Sequence, residues 1–283
     1  MENRRTLKPS IRYDKALFFF TASLVLPWMF FFSAAYLSNM PNSLNLTFLQ
    51  GILSLLGLIS PCLIALYLFW REGVKFKDLK HRFSLKGVGK IYLILAIFMT
   101  CAALLLAQLI SVLFGYSVEQ FHIVAHPSFD SAFFNAWFIL VFAAIIEELA
   151  WHSYGTDALT SKFNLFVSSI IFAFYWAIWH LPLAFIKGYY HSNVSNSGLL
   201  YGLNFIASVF VFVILMNWLY IKTGRNITIA VIFHLFANLT NEIFATHPDS
   251  KVLQTAILLI VAIFVLMKEK EMFFSSNLRA YKV

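Results

Sequence analysis

Charged side chains are scarce in this chain of 283 residues: they make up 12% of it, against 60% hydrophobic residues. A soluble domain usually carries about 25% charged residues, so the composition indicates a membrane protein. Cysteine is scarce too. Cys62 and Cys101 both lie within apolar runs, which excludes a disulfide framework and a cysteine-based metal site. The sequence also lacks a low-complexity tract, a separate soluble domain and a convincing internal repeat.

Long apolar runs fill the chain instead, and eight of them reach the ~20 residues that a helix needs to cross a bilayer. A β-barrel would show short alternating segments, whereas these runs are continuous. The first run is longer than the ~7–15 residues of a cleaved signal. We therefore predict an all-α, multi-pass integral membrane protein, a polytopic bundle of about eight transmembrane helices. The predicted spans are 16–37, 46–70, 91–115, 131–153, 167–186, 199–221, 227–245 and 252–267.

Basic residues are distributed unevenly between the two ends of these spans. All but two of the 21 Lys and Arg residues fall on the side of the N-terminus, and only Lys187 and Lys251 fall opposite. The positive-inside rule then places both termini in the cytoplasm, and we expect a bacterial plasma membrane. The basic segment 71–90 is predicted to touch anionic headgroups, so the expected partners are membrane lipids and not nucleic acid. It separates an N-terminal two-helix segment, residues 1–90, from a six-helix core, residues 91–283.

Ionisable side chains are rare inside the predicted spans. Each costs at least ~2.5–3.5 kcal/mol at a helix centre, so those present indicate a function. The deepest are Glu147, Glu148, His152, His180 and His234. Glu148 and His152 are four residues apart and therefore share one helix face.

A second polar face comes from the stretch IFHLFANL, where His234 and Asn238 are also four residues apart. Asn241 and Glu242 follow near the outer end of the same helix and are interpreted as structural. His180 closes the aromatic run FYWAIWHLP on a third helix. If the bundle turns these faces inward, they meet in one polar cavity.

Such a cavity suits hydrolysis. A glutamate could act as general base, a histidine could orient the attacked water, and an imidazole and a carboxamide could stabilise an oxyanion. Glu147, His180 and His234 are also suitable ligand types for zinc. The sequence contains no His-Glu-x-x-His motif, so we expect no required cofactor, with zinc as the alternative.

Three stretches carry a family resemblance: EELAWHSYGTDAL, WAIWHLPLAF and IFHLFANL, in this order. They resemble the motifs of the CPBP family, which comprises CAAX prenyl proteases and bacteriocin-processing (Abi) membrane proteins, and the resemblance covers about 130–245. It implies an intramembrane endopeptidase of a kind often labelled a metalloprotease. The expected substrate is a membrane-associated peptide or lipidated peptide, either a CAAX-type tail or a leader peptide, in a cavity open to the cytoplasm.

The resemblance also implies a role for each catalytic residue. Glu147 would be the base that activates water, with Glu148 as its neighbour in the site. His180 would hold the water, and His234 and Asn238 would stabilise the oxyanion.

Two supporting positions depart from the family pattern. His152 stands where the family has arginine, which removes a permanent cation beside Glu148 and predicts pH-dependent, weak or absent activity. Trp176 stands where the family has phenylalanine, which keeps an aromatic wall. These departures leave open a non-catalytic immunity or accessory protein. A proton-coupled transporter is less favoured, because no inverted repeat is present.

The predicted spans place Glu147 about 9 Å and His180 about 20 Å from the inner helix ends. The two residues meet only if the fourth helix continues through about residue 160 and the fifth starts later. The remaining histidines, apart from the loop residue His81, are interpreted as scattered over outer loops: His122, His126, His191 and His247.

Overall fold

The computed structural model describes residues 13–41, 43–75, 79–129, 131 and 133–275. Regular structure in these residues is helical, with one isolated antiparallel bridge between Ile123 and Phe244. The predicted all-α class is therefore confirmed. The helices are α1 Ala16–Ser38, α2 Leu44–Arg71, α3 Lys90–Leu113, α4 Ala136–Thr160, α5 Leu165–Trp179, α6 Tyr190–Ser197, α7 Leu199–Lys222, α8 Ile227–Ile243, α9 Pro248–Lys268 and α10 Lys270–Phe274.

Seven helical segments in the described residues are long and apolar enough to cross a membrane: α1 to α4, α5 with the 3-10 turn that follows it, α7 and α9. The remaining predicted span, 227–245, corresponds to α8, which is apolar but only 17 residues long. Its axis measures roughly 26 Å at 1.5 Å per residue. The protein is thus a multi-pass integral membrane bundle. The predicted cytoplasmic termini fall mainly on 1–12 and 276–283, outside the described residues.

Helix α4 is interrupted by a π-helical turn, Trp151–Gly155, and then continues to Thr160. The fourth helix therefore extends inward as far as predicted. The prediction that the fifth helix starts later is wrong, because α5 begins at Leu165, two residues before the predicted start at 167. The Asn164 side chain fixes this start by accepting the Val167 N–H at 2.8 Å.

Helix α5 ends at Trp179, directly before His180. Pro182 lies in the 3-10 turn Leu181–Phe185 that follows, and a proline at this point removes the backbone donor that a further α-helical turn would need. His180 therefore sits at a helix end, where its ring can reach across the bundle.

The N-terminal two-helix segment packs into the same bundle as the rest of the chain. Helix α1 lies along α2, and α2 contacts α4. Gly57 lets α1 and α2 approach closely, since a Cβ atom at this position would overlap the ring of Phe31. This packing brings α1 and α2 to one wall of the cavity described next.

Candidate active site

Glu147 and Glu148 are both buried, at 7% and 0% exposure. Consecutive residues on an α-helix point about 100° apart, so the two carboxylates face different neighbours. Glu147 lines a large cavity, whereas Glu148 points to the histidines His152 and His234. The adjacent glutamates therefore occupy distinct environments.

Two indole N–H groups hold the Glu147 carboxylate. Its Oε2 accepts a hydrogen bond from Trp151 Nε1 at 3.2 Å and another from Trp176 Nε1 at 3.0 Å. No side chain or backbone group among the described residues bonds to Oε1. The expectation that Trp176 serves only as an aromatic wall is incomplete, because a phenylalanine could not donate this bond. Glu147 is thus fixed through one oxygen and presents the other.

Glu148 binds a histidine through each carboxylate oxygen. His234 Nδ1 lies 2.7 Å from Oε1, and His152 Nδ1 forms a very short contact with Oε2. Glu148 is not among the residues that line the cavity. It orients His234 from behind, as a positioning residue.

A chain of hydrogen bonds fixes the direction of the His152 contact. The Leu165 carbonyl accepts from Ser169 Oγ at 2.8 Å, and Ser169 Oγ accepts from Asn217 Nδ2 at 2.8 Å. The Asn217 amide oxygen therefore faces His152 Nε2, at 2.9 Å, and accepts its proton. With Nδ1 on the Glu148 carboxylate, His152 offers donors on both sides, as an arginine would.

His180 uses one nitrogen for orientation. Its Nδ1 lies 2.6 Å from the Trp176 carbonyl oxygen, which can only accept, so Nδ1 carries the proton. In the neutral ring, Nε2 is then the acceptor. His191 stacks on His180, with ring centroids 4.9 Å apart at 28°.

The interpretation of His191 as a scattered loop histidine is wrong, because it lies on α6 and lines the cavity. Burial, with a smaller contribution from His180, holds the pKa of His191 well below its usual value of 6.5. His191 is therefore a neutral ring against His180. His191 reaches the cavity because it lies on α6, and the polar sequence after Pro182 gave no indication of a helix there.

The cavity has a volume of about 760 Å³. Among its lining residues are five of the seven predicted site residues: Glu147, Trp176, His180, His234 and Asn238. The other two, Glu148 and His152, lie directly behind them. The structure thus brings the three motifs together on α4, α5 and α8.

The cavity opens between the C-terminal end of α1 and the N-terminal end of α2, where Ser38 and Thr47 line it. Since α1 starts at Ala16 on the opposite end of the bundle, the opening faces away from the N-terminus.

The zinc alternative can be tested on the arrangement of ligand groups. Among the described residues, no group of three or more His, Cys, Asp or Glu side chains is placed to hold a metal ion. The set Glu147, His180 and His234 does not fit a metal site in this arrangement.

A buried arginine behind the site was missed in the sequence. Arg82, 5% exposed, comes from the basic segment 71–90, and it donates to the carbonyls of His152 at 2.7 Å and Ser153 at 3.2 Å. It also pairs with Asp157 at 3.0 Å. Burial lowers the pKa of Arg82, but the neighbouring Tyr220 and Asp157 outweigh this effect and raise it. The prediction that the basic segment 71–90 touches headgroups is therefore wrong for Arg82.

The fold and the site together define a class: a multi-pass membrane protein with a hydrolase-like Glu/His chamber between its helices. Comparisons with known proteins identify the family within this class. Residues 128–240 match the family model described as type II CAAX prenyl endopeptidase Rce1-like. The "CAAX prenyl protease 2" of Methanococcus maripaludis is 33% identical over 275 residues, covering 94% of this chain and 97% of the relative.

The chain therefore belongs to the type II CAAX prenyl endopeptidase family, and the resemblance seen in its three motifs is confirmed. A membrane-embedded protease is the function that this membership supports. The bacteriocin-processing branch and the bacterial origin of the membrane stay predictions.

Proposed function

We propose that this protein cleaves a peptide bond in a lipidated CAAX-type peptide, using water activated by Glu147. The observation that supports it most is the Glu147 carboxylate, held at Oε2 by two indole donors while Oε1 has no partner among the described residues. A carboxylate fixed in this way is a ready acceptor for one proton of a water molecule. Such an arrangement has little value as a structural contact.

In the first step, the water oxygen attacks the scissile carbonyl carbon as Glu147 takes a water proton. His180 is suited to orient this water, because its Nδ1 proton points to the Trp176 carbonyl and its Nε2 can accept a hydrogen bond. The carbonyl π electrons move to oxygen and give a tetrahedral oxyanion. Glu147 then returns its proton to the leaving nitrogen, the C–N bond breaks, and a carboxylic acid and an amine leave.

His234 and Asn238 are suited to stabilise the oxyanion. Both line the cavity, one helical turn apart on α8. A donor at His234 Nε2 requires a proton on both ring nitrogens, and the Glu148 carboxylate at Nδ1 balances that charge. The Asn238 amide adds a neutral donor. Removing one oxyanion donor costs about 10²–10³-fold in kcat in proteases, which sets the expected scale.

The cavity suits a peptide with an apolar attachment. Its volume of about 760 Å³ falls within the ~300–1,000 Å³ of small-molecule sites and admits several peptide residues. Glu147, His180 and His234 are joined in its lining by apolar residues of α1 and α2, among them Phe31 and Leu55. The name of the Methanococcus maripaludis relative, a CAAX prenyl protease, supports a lipidated CAAX tail as the substrate.

We further propose that hydrolysis requires no metal ion, since base, water holder and oxyanion donors are all supplied by side chains. The described residues hold no group of three or more His, Cys, Asp or Glu side chains placed to bind a metal ion, which supports this assignment. Treatment with a chelator is then expected to leave cleavage unchanged.

The test uses the purified full chain in lipid nanodiscs and a quenched-fluorescent farnesylated CAAX peptide. Glu147→Gln is expected to reduce kcat by about 10³-fold or more, because the amide cannot take the proton. Glu269→Gln, which alters a surface ion pair with Lys222, is the matched control and should stay active. Full activity in Glu147→Gln would refute the glutamate mechanism. A wild-type protein that cleaves no peptide would favour the non-catalytic alternative.

A further inference from the structure

A second carboxylate in the cavity has no role in the proposed hydrolysis. Glu242 lies on α8 two turns beyond His234, is 4% exposed and lines the cavity. Its Oε2 accepts the backbone N–H of Ser128 at 2.6 Å. Its Oε1 is buried and has no hydrogen-bond partner among the residues that the structure describes. A buried polar atom without a partner requires an explanation.

Nearby cations do not account for Glu242. Lys251 directs its ammonium group to the Asn241 carbonyl oxygen at 3.0 Å and lies 5.6 Å from the centre of the Tyr190 ring. Lys187, the other basic residue at this end, is exposed at the cavity rim and forms no ion pair in the described chain. Glu242 therefore lines the cavity with one carboxylate oxygen that no donor among the described residues satisfies.

The charged residues at this end of the molecule indicate which charge a group that binds Glu242 would carry. Outside the catalytic pair, the described residues at the cavity end include two basic and three acidic ones: Lys187, Lys251, Glu119, Glu242 and Asp249. The opposite end carries the remaining Lys and Arg residues of the described chain. An acidic opening attracts cationic peptides and repels acidic ones.

We propose that Glu242 binds the side chain of a lysine or arginine in the substrate, on the N-terminal side of the scissile bond. This inference rests on the proposed peptidase function and adds a specificity subsite to it. Eight residues separate His234 from Glu242, about 12 Å along the helix. An extended peptide rises ~3.3 Å per residue, so the subsite lies three or four residues from the scissile bond.

The N-terminal side is chosen on electrostatic grounds. A CAAX tail ends in a free carboxylate a few residues after the lipidated cysteine, and Glu242 would repel that group. Upstream of the cysteine, lipidated tails commonly carry several basic residues. The cationic partner therefore lies before the cut.

The experiment uses three farnesylated CAAX peptides that differ only at the fourth residue before the scissile bond: Lys, Gln or Glu. The wild-type kcat/KM should be about tenfold higher for the Lys than for the Gln peptide, the scale of one charge-assisted hydrogen bond. The Glu peptide should be cleaved least. In Glu242→Gln, whose amide oxygen still accepts the Ser128 N–H, the Lys-to-Gln ratio should fall to about one.

Glu119→Gln is the matched control, because Glu119 is exposed at the same end and does not line the cavity. It should keep the Lys preference, whereas loss of the preference there would assign it to the general charge of the surface. Equal ratios in wild type and Glu242→Gln would overturn the proposal while leaving the peptidase function intact.

Binding to the inactive Glu147→Gln variant separates the two proposals. Anisotropy of the labelled Lys and Gln peptides measures affinity without cleavage. A tighter Lys complex that is lost in the Glu147→Gln, Glu242→Gln double variant supports the subsite even if no peptide is cleaved. Equal affinities in both variants would refute it.

Discussion

Two buried polar regions lie on either side of His152, and they are built differently. On one side, the catalytic chamber leaves Oε1 of Glu147 and of Glu242 without a protein partner among the described residues. On the other side, Arg82 directs all three guanidinium nitrogens to acceptors and pairs with Asp157. Asp157 in turn accepts from Tyr13 at 2.9 Å and from Tyr220 at 3.1 Å.

On helix α4, the difference separates a reactive group, Glu147, from a structural one, Asp157. A buried polar group without a partner costs free energy, and a ligand that bonds to it offsets that cost. A fully paired cluster instead fixes backbone geometry. The Arg82 cluster binds the carbonyls of the π-helical turn, which carries His152 and Trp151 to their contacts with the two glutamates. The comparison predicts opposite outcomes for substitutions in the two regions.

The largest effect is expected for Glu148→Gln. This change removes the charge that anchors His152 and His234, and it leaves a buried ring on each side without its carboxylate. Cleavage should fall about 10³-fold, and the free energy of unfolding by about 3 kcal/mol. Thermal unfolding in detergent and the peptide assay measure the two quantities. Glu147→Gln should lose as much activity with a much smaller shift in Tm, and equal Tm shifts would refute the distinct roles of the two glutamates.

Asp157→Asn should show the reverse pattern. It leaves Arg82 buried without its carboxylate, which costs about 3 kcal/mol of stability, while kcat per folded molecule should stay within about threefold. The surface variant Glu269→Gln should cost less than about 1 kcal/mol. If Asp157→Asn lowers kcat under conditions where all of the protein is folded, the Arg82 cluster belongs to the catalytic machinery.

His152→Arg restores the family residue, and the structure argues against a gain of activity. The His152 ring is fully buried, 4.7 Å from the Tyr220 ring centre, and already donates toward Glu148 and Asn217. A longer side chain overpacks this space, at a cost of about 2 kcal/mol. The exposed His126→Arg is the control. Higher Tm and higher kcat in His152→Arg would show that the histidine is a defect and not a compensated replacement.

The main chamber could be predicted because its spacing is local. Glu148 with His152, and His234 with Asn238, are i, i+4 pairs in apolar runs, and a helix face follows directly from that spacing. The span count was nearly right for the same reason, since apolar length is a local property. The short helix α8 still carries His234, so its length did not affect the site.

The missed residues depend on contacts between distant regions of the chain. Asn217 reaches His152 across 65 positions and Arg82 reaches it across 70. Asn217 is a single amide in an apolar helix, and Arg82 belongs to a basic loop that resembles a topology signal. The π-helical turn was also not predictable, because a change of hydrogen-bond register leaves no mark on composition.

The smallest effect is expected for Trp176→Phe, which tests whether the chamber needs the indole donor or only an aromatic ring. Phenylalanine keeps the packing against His234 but removes the 3.0 Å bond to Glu147, which Trp151 then holds alone. The loss of one hydrogen bond to a carboxylate predicts a fall in kcat of about tenfold with KM little changed. Trp179→Phe is the matched control, because the Trp179 indole packs edge-to-face against His180 but has no hydrogen-bond partner in the described residues. If both variants lose activity equally, Glu147 is oriented by ring packing and not by the indole N–H. The catalytic chamber would then not depend on a directed hydrogen bond to Glu147, and its contrast with the Arg82 cluster would fail.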